Sequence, residues 1–310
     1  MNHLKLYENF RTEEDIHRIC ELYGIINYTI NDDKSIDVDG GVDLAHKRFK
    51  KLPLKFNKVS QSFNCGNSKL ETLDGSPNYV GGSFYCYGNK LISLEGGPKT
   101  VVKDYNCEHN ELETLKGSPL EVGGSFICSH NNLTSLKYSP KEVGDSFNCF
   151  HNNLKTLKGS PNKINRSFSC SNNKLTSLEY APSEVGDFFS CDSNNLTSLE
   201  GSPEKIGKSY HCSNNLLQSL DGFPKYVGGT FYCNTNRFEF LVGILENNPK
   251  YLYYYSTHNK AIHRYGKETI YLPMFNRLLK RLNLPEVDRV GSFTNIKTPE
   301  EGKEYLENKN

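Results

Sequence analysis

The sequence predicts an α/β-type solenoid with parallel strands on one face, irregular or polyproline-like return segments on the other, and a cap at each end. Three observations predict it. Nine of the ten cysteines (Cys65, Cys86, Cys107, Cys128, Cys149, Cys170, Cys191, Cys212 and Cys233) stand 21 residues apart without an insertion. An aromatic lies two residues before each of them, from Phe63 to Phe231, and Asn lies three residues after all but the first, where Ser68 replaces it. Leucine pairs such as Leu91 and Leu94, a Gly-x-Pro such as Gly96 and Pro98, and a Val or Ile such as Val101 or Ile164 keep the same phase. Self-similarity at this period marks a stacked repeat, in which each unit buries its apolar side against its neighbours.

Residues 1–41 read as an N-terminal cap. Thr12 followed by Glu13, Glu14 and Asp15 is a helix start, and Gly24 ends the helix after about Tyr23. Asn27–Ile30 and Ile36–Val38 alternate around Asn31-Asp32-Asp33 as a hairpin. Such a cap covers the core that an open solenoid end would expose.

Residues 42–248 hold about ten coils, the first of them atypical. Val42 and Leu44 stand where later coils have the aromatic and the Cys, and Phe49, Leu52 and Val59 take the two Leu positions and the Val position. Within a coil, aromatic-x-Cys alternates as a short strand with both side chains inward. The Asn closes the turn that follows, its amide placed to bond backbone groups of its own and the next coil. The two Leu residues point into the same interior. Pro fixes φ and blocks helix continuation, and 21 residues leave little room for a return helix.

The pattern decays after Cys233. Phe238 and Leu241 keep phase, while Leu245 and Asn248 replace the Pro and the Val. Residues 249–310 read as a C-terminal capping and helical segment, its clearest piece a helix over Leu272–Asn283 with Pro273 near the start and Lys280 and Arg281 in the last turns. The cluster Tyr251, Tyr253, Tyr254 and Tyr255 reads as a cover for the last coil rather than a binding hot spot.

The run Phe84-x-Cys86-x-x-Asn89-x-Leu91, followed by Leu94 and Pro98, resembles the second half of the leucine-rich repeat motif LxxLxLxxNxL in its short bacterial form. The departure is at the first Leu, where Gly81 and its equivalents stand and Val80 comes one residue earlier. The rhythm VGGSFYC followed by N.L.SLEG.P is similar to leucine-rich repeat proteins encoded by tailed bacteriophages, over roughly residues 42–245. The resemblance implies a non-enzymatic protein-binding scaffold. It also implies a cytoplasmic protein, in the host cytoplasm if phage-encoded, acting on a host or viral protein. A counter-defence inhibitor is one such role, and a structural, virion-associated phage protein is the alternative.

Composition narrows the classes further. Lys+Arg 37 against Asp+Glu 36 leaves a formal charge of +1, so a chain built to neutralise phosphates is disfavoured and nucleic acid is not the expected partner. Mean hydropathy is −0.63, and no apolar stretch approaches the ~20 residues of a membrane span. The start MNHLKLYENFRTEED lacks the apolar segment of a secretory signal.

No catalytic constellation emerges: GxxxxGK[ST], HExxH and GxSxG are absent, and the Gly81-Gly82 and Gly123-Gly124 pairs read as turns of the coil. Some bacterial leucine-rich repeat effectors carry a cysteine-dependent ubiquitin ligase after the repeats, but no Cys follows Cys233. An enzyme would have to use residues 249–310, where His258, His263 and Glu268 are the candidates. No cofactor is expected.

The cysteine column admits a disulfide, a metal or a packing reading. Neighbouring strands ~4.8 Å apart bring Cα atoms within disulfide range, yet a parallel column holds its Cβ vectors parallel and an odd number leaves one thiol over. A linear row also offers no tetrahedral cage. The column reads as small buried apolar residues in a reducing compartment. His109, His130 and His151 share one position in consecutive coils, two residues after Cys, and read as solvated turn residues rather than a metal or pH-responsive cluster. The basic run His46–Lys51, with Lys55 and Lys58, reads as a solvated face.

Partner contacts belong on the strand face, one residue either side of Cys and three before it. Many of these positions are small or polar: Asn64, Ser83, Ser125, Asn148, Ser169, Ser171 and Ser213. Against them Tyr85, Tyr87, Ile127, Phe150, Phe188, His211 and Tyr232 stand out as the partner-binding candidates. A sheet of about ten strands spans roughly 45 Å, enough for a protein interface.

Overall fold

Each repeat closes one turn of a parallel-strand solenoid with little helix. The computed structural model describes residues 12–218, 221–233 and 235–236, together with the backbone of the strands Tyr251–Tyr255 and Ile262–Tyr265. The chain divides into two compact units, Met1–Ile164 and Asn165–Asn310.

The first unit opens with helix α1, Glu13–Tyr23. The Thr12 hydroxyl caps it by accepting the Asp15 N–H, and Gly24 at φ 68° ends it by donating to the Cys20 and Glu21 carbonyls. Ile16, Ile19 and Cys20 form its buried face. The hairpin follows, with Tyr28–Ile30 antiparallel to Ile36–Val38 and Thr29 opposite Asp37. Ile36–Val38 then pairs in parallel with Phe56–Val59 and so leads into the coils.

The predicted strand is present in every coil of this unit. Val42–Asp43, Phe63–Asn64, Phe84–Tyr85, Tyr105–Asn106, Phe126–Ile127 and Phe147–Asn148 pair in register, Val42 beside Phe63 and then aromatic beside aromatic. Beyond this aromatic ladder, the return segments contribute a second parallel ladder. It runs through Phe56–Val59, Tyr79–Val80, Thr100–Val101, Glu121–Val122 and Glu142–Val143. The second unit repeats both ladders. Phe168–Ser169, Phe189–Ser190, Tyr210–His211 and Thr230–Tyr232 form one, and Glu184–Val185, Lys205–Ile206 and Tyr226–Val227 the other. Tyr251–Tyr255 adds a parallel strand beside Thr230–Tyr232, and Ile262–Tyr265 lies antiparallel to it. The expected helix Leu272–Asn283 and the candidates His258 and Glu268 lie outside the described residues; of His263 only the backbone is described.

The interior is the set of columns that keep phase. The aromatics Phe63 to Phe231, the cysteines Cys65 to Cys233 and leucines such as Leu91, Leu94, Leu133 and Leu136 have no exposed surface. Full burial of one such side chain is worth about 1.5–3 kcal/mol. Phe63 stacks on Phe84 at 5.7 Å, and Phe168 on Phe189 at the same spacing. The ten cysteines are free thiols. Burial pushes the Cys65 and Cys128 thiols well above their usual range, and the sulfur donates weakly to the next coil, as from Cys65 Sγ to Tyr85 O at 3.4 Å.

The asparagine ladder exists, but it points the other way along the stack. Asn131 Nδ2 donates to the Cys128 carbonyl of its own coil and the Cys107 carbonyl of the preceding one, both at 3.1 Å. Its Oδ1 accepts the preceding coil's Leu112 N–H at 3.0 Å. Asn110, Asn194 and Asn215 repeat the arrangement. The expected bond to the following coil is therefore corrected to the preceding one. The residue before each Asn, two after the Cys, takes a left-handed turn.

That turn position has φ between 52° and 64° in every described repeat: Asn67, Gly88, His109, His130, His151, Asn172, Ser193, Asn214 and Thr235. Close approach explains the Gly81 column. A Cβ on Gly81 would stand 2.2 Å from the Ser60 carbonyl oxygen, and one on Gly123 would stand 2.0 Å from that of Val102. The Gly-Gly pairs are thus places where coils touch backbone to backbone.

Candidate binding faces on the strand side

Side chains alternate across a strand, so the residues flanking each cysteine leave the aromatic ladder away from the core. In the unit Met1–Ile164 this face carries Tyr85, Tyr87, Ile127 and Phe150, all half-buried. Tyr85 and Tyr87 meet edge to face at 6.5 Å. Tyr87 lies on Gly66, where a Cβ would come within 2.8 Å of the ring, so the glycine one coil earlier is the seat of the tyrosine.

Beside them runs the histidine row. His109 and His130 stack at 4.2 Å and 9°, His130 and His151 at 4.6 Å and 14°. The Phe150 ring packs edge-on against His130 at 4.7 Å. Each His occupies the left-handed turn position, a conformation that His and Asn adopt more readily than most residues. Loss of water holds the His130 pKa below the usual value; its His109 and His151 neighbours add to this and Glu108 opposes it. Parallel ring planes aim their nitrogen lone pairs side by side, not at a common point. Among the described residues no group of His, Cys, Asp and Glu is placed to hold a metal ion.

Two of the small positions read as solvent-facing are buried. Ser83 is 4% exposed because its N–H and hydroxyl are engaged by Ser62 and Asp104, and Ser171 is 8% exposed, bonded to the Ser190 hydroxyl at 2.7 Å. Hydroxyl ladders between coils draw these serines out of the solvent. The basic run is partly paired, Lys50 with Glu71 at 2.7 Å and Lys55 with Asp33 at 2.6 Å.

In the unit Asn165–Asn310 the face carries Phe188, His211 and Tyr232. Phe188 is exposed, while His211 and Tyr232 are half-buried and stacked at 4.4 Å. Phe188 stands 6.4 Å from His211, and Lys208 Nζ lies 5.5 Å over the Phe188 ring. Sequence reasoning missed the carboxylate beside His211, Asp192. Asp192 Oδ1 accepts the Ser213 N–H at 2.6 Å, Oδ2 accepts the Ser190 hydroxyl at 3.1 Å, and His211 Nδ1 stands 4.0 Å away. Burial raises the Asp192 pKa and lowers that of His211. Its position, one residue after Cys, varies from coil to coil (Gly66, Tyr87, Glu108, Ser129, Phe150, Ser171, Ser213), so nothing in the sequence singled it out.

Parallel two-residue strands, a buried asparagine ladder and an interior of in-phase leucines define a leucine-rich-repeat-like solenoid. The structure is similar to that of YopM from Yersinia enterocolitica WA-314, with a TM-score of 0.38 and 16% identity, covering 70% of this chain and 57% of that one. The chain thus spans somewhat over half the length of that protein. No family model matches the sequence, and no curated protein does. No helix among the described residues is long and apolar enough to cross a membrane.

Proposed function

We propose that this chain is a non-enzymatic protein-binding scaffold that grips its partner through the strand face. One observation supports this reading above the rest. Tyr85, Tyr87 and Phe150 are large rings held half-exposed by fixed neighbours (Gly66 under Tyr87, His130 beside Phe150) on a rigid ladder. Pre-set aromatic anchors of this kind carry most of the energy in protein interfaces. The repeat's resemblance to phage leucine-rich repeat proteins extends the reading to a phage-encoded protein in the host cytoplasm, acting on a host or viral protein as a counter-defence inhibitor.

The test is affinity capture with the full chain and with Tyr85→Ala, Tyr87→Ala and Phe150→Ala combined. A partner retained by the first and lost by the second, with an unchanged thermal melt, is the expected result. Undiminished capture by the triple variant would reject this face.

A further inference from the structure

We propose that the stacked cations Arg48, Lys69 and Lys90 of the unit Met1–Ile164 receive a short acidic segment of a protein partner, a run of Asp or Glu side chains laid across three coils. The proposal rests on the scaffold reading and names the charge of what the scaffold holds.

Stacking is the first argument. Arg48, Lys69 and Lys90 stand 21 residues apart, each just before a buried Phe49, Leu70 or Leu91, and all three are exposed. The Lys90 N–H donates to the Leu70 carbonyl at 2.8 Å and the Glu71 N–H to the Lys50 carbonyl at 2.9 Å, so this edge is laid coil on coil. The basic run of the first coil is therefore continued by the two coils after it, at the ~4.8 Å spacing of a parallel ladder. Like charges set side by side destabilise such a ladder. Arg48 and Lys69 also hold left-handed backbone, φ 62° and 69°, which is uncommon for such residues. Three later coils carry Asn in the same place, Asn132, Asn153 and Asn195, so the repeat itself does not call for a cation there.

Charge is the second argument. Residues 47–51, 68–72 and 89–93 of the three coils hold six cations, Lys47, Arg48, Lys50, Lys51, Lys69 and Lys90, and one carboxylate, Glu71. Glu71 pairs with Lys50 at 2.7 Å, and among the described residues none of the other five cations has a carboxylate within ion-pair distance. Lys50, and after it Lys90 and Lys51, hold the Glu71 carboxyl below its usual range, so lysines from the coils on either side act on one point. The patch then stops. The fourth coil places Glu111 and Glu113 at the positions of Lys90 and Ile92, with the Glu111 N–H bonded to the Leu91 carbonyl at 3.0 Å. A phosphate backbone tracking along the stack would run onto those carboxylates, whereas an acidic segment of two or three side chains ends before them.

Position is the third argument. Tyr87 lies three residues before Lys90, and the turn between them is held by Asn89, whose Nδ2 donates to the Cys86 carbonyl at 2.9 Å and the Tyr87 carbonyl at 3.3 Å. The basic column thus starts one turn beyond the strand face that carries Tyr85 and Tyr87. Charge at the rim of an aromatic contact steers a partner of opposite sign and fixes its orientation.

The experiment is an NMR titration of the full chain with the acetylated, amide-capped peptide Gly-Glu-Glu-Glu-Gly, its Gln and Lys counterparts, and a thymidine oligonucleotide. The Glu peptide should shift the Lys69 and Lys90 amides saturably, the Gln and Lys peptides should not, and the oligonucleotide should bind more weakly. Arg48→Asn, Lys69→Asn and Lys90→Asn combined should lose about tenfold or more in affinity for the Glu peptide, with the melting temperature unchanged or raised. No response to the Glu peptide, an equal response to the Gln peptide, tighter binding of the oligonucleotide, or unchanged affinity in the triple variant would overturn the proposal. A lowered melting temperature would make the cations structural and overturn it equally. Capture of a protein partner by the full chain decides the scaffold reading separately. A partner held equally by the triple variant leaves the scaffold standing and removes this seat.

Discussion

Replacing Asn131 tests the ladder that ties coil to coil. In Asn131→Ala the Leu112 N–H loses its Oδ1 acceptor at 3.0 Å inside a buried turn. The Cys107 and Cys128 carbonyls each lose one donor, but Asn110 and Asn152 still serve them. An orphaned buried N–H costs about 1–3 kcal/mol and each lost bond to a still-served carbonyl about 0.5–1.5 kcal/mol, so the variant should lose about 2–6 kcal/mol. That is a large part of the stability of an ordinary domain. Asn131→Asp separates the donor from the acceptor role. The carboxylate still accepts from Leu112 but faces three carbonyls, those of Cys107, Cys128 and Ser129, so its folded-state pKa should be raised. The penalty grows as pH rises above about 4 and is complete above the folded-state pKa, so acid should restore part of the loss. Urea unfolding followed by circular dichroism gives the energies, and hydrogen exchange of the Leu112 amide locates them. A cost below about 1 kcal/mol in Asn131→Ala, with the Leu112 amide as protected as before, would refute the reasoning.

Other perturbations probe the backbone, the interior and the histidine row. Tyr138 sits at φ 70° where neighbouring coils have Gly117 and Gly159, so Tyr138→Gly should gain about 0.5–1 kcal/mol in urea unfolding. Gly117→Ala should lose more than about 2 kcal/mol, because its Cβ would stand 2.2 Å from the Leu94 carbonyl carbon. Tyr105 Oη is buried without a hydrogen-bond partner among the described residues, so Tyr105→Phe should be neutral or stabilising, whereas Tyr210→Phe should cost about 1 kcal/mol through its 2.8 Å bond to Ser202; thermal melts of the two would rank them. His130 has a lowered folded-state pKa, so the unfolded chain takes up its proton first. Stability should fall as pH drops below about 6.5 and level off below the folded-state pKa, and His130→Asn, which tolerates the same turn, should flatten that slope in denaturation at stepped pH.

The interior was legible because packing repeats itself: a side chain that must meet its own copy one coil away keeps its phase, as Phe84, Cys86, Leu91 and Val101 do. The helix and hairpin were legible from local chemistry at Thr12, Gly24 and Asn31. The left-handed turn was written in the sequence too, since Asn67, Gly88, His109 and Asn172 are residues that favour it, but the three histidines drew the eye to solvent and chemistry instead. The direction of the asparagine bonds could not be read, because the same spacing serves either neighbour. The strand faces were legible only as departures from a polar background. Large rings such as Tyr87 and Phe188 announce themselves, whereas Asp192 gains its meaning from burial and from the neutral donors around it, and neither has a period.

Thiol accessibility tests the stacked interior most directly. All ten cysteines are buried free thiols, and the coil packs the in-phase nine among aromatic rings and leucines that are likewise buried. Titration with a chromogenic disulfide should give no prompt reaction in the native protein and ten equivalents after full denaturation. Prompt reaction of several thiols in the folded chain would contradict the account.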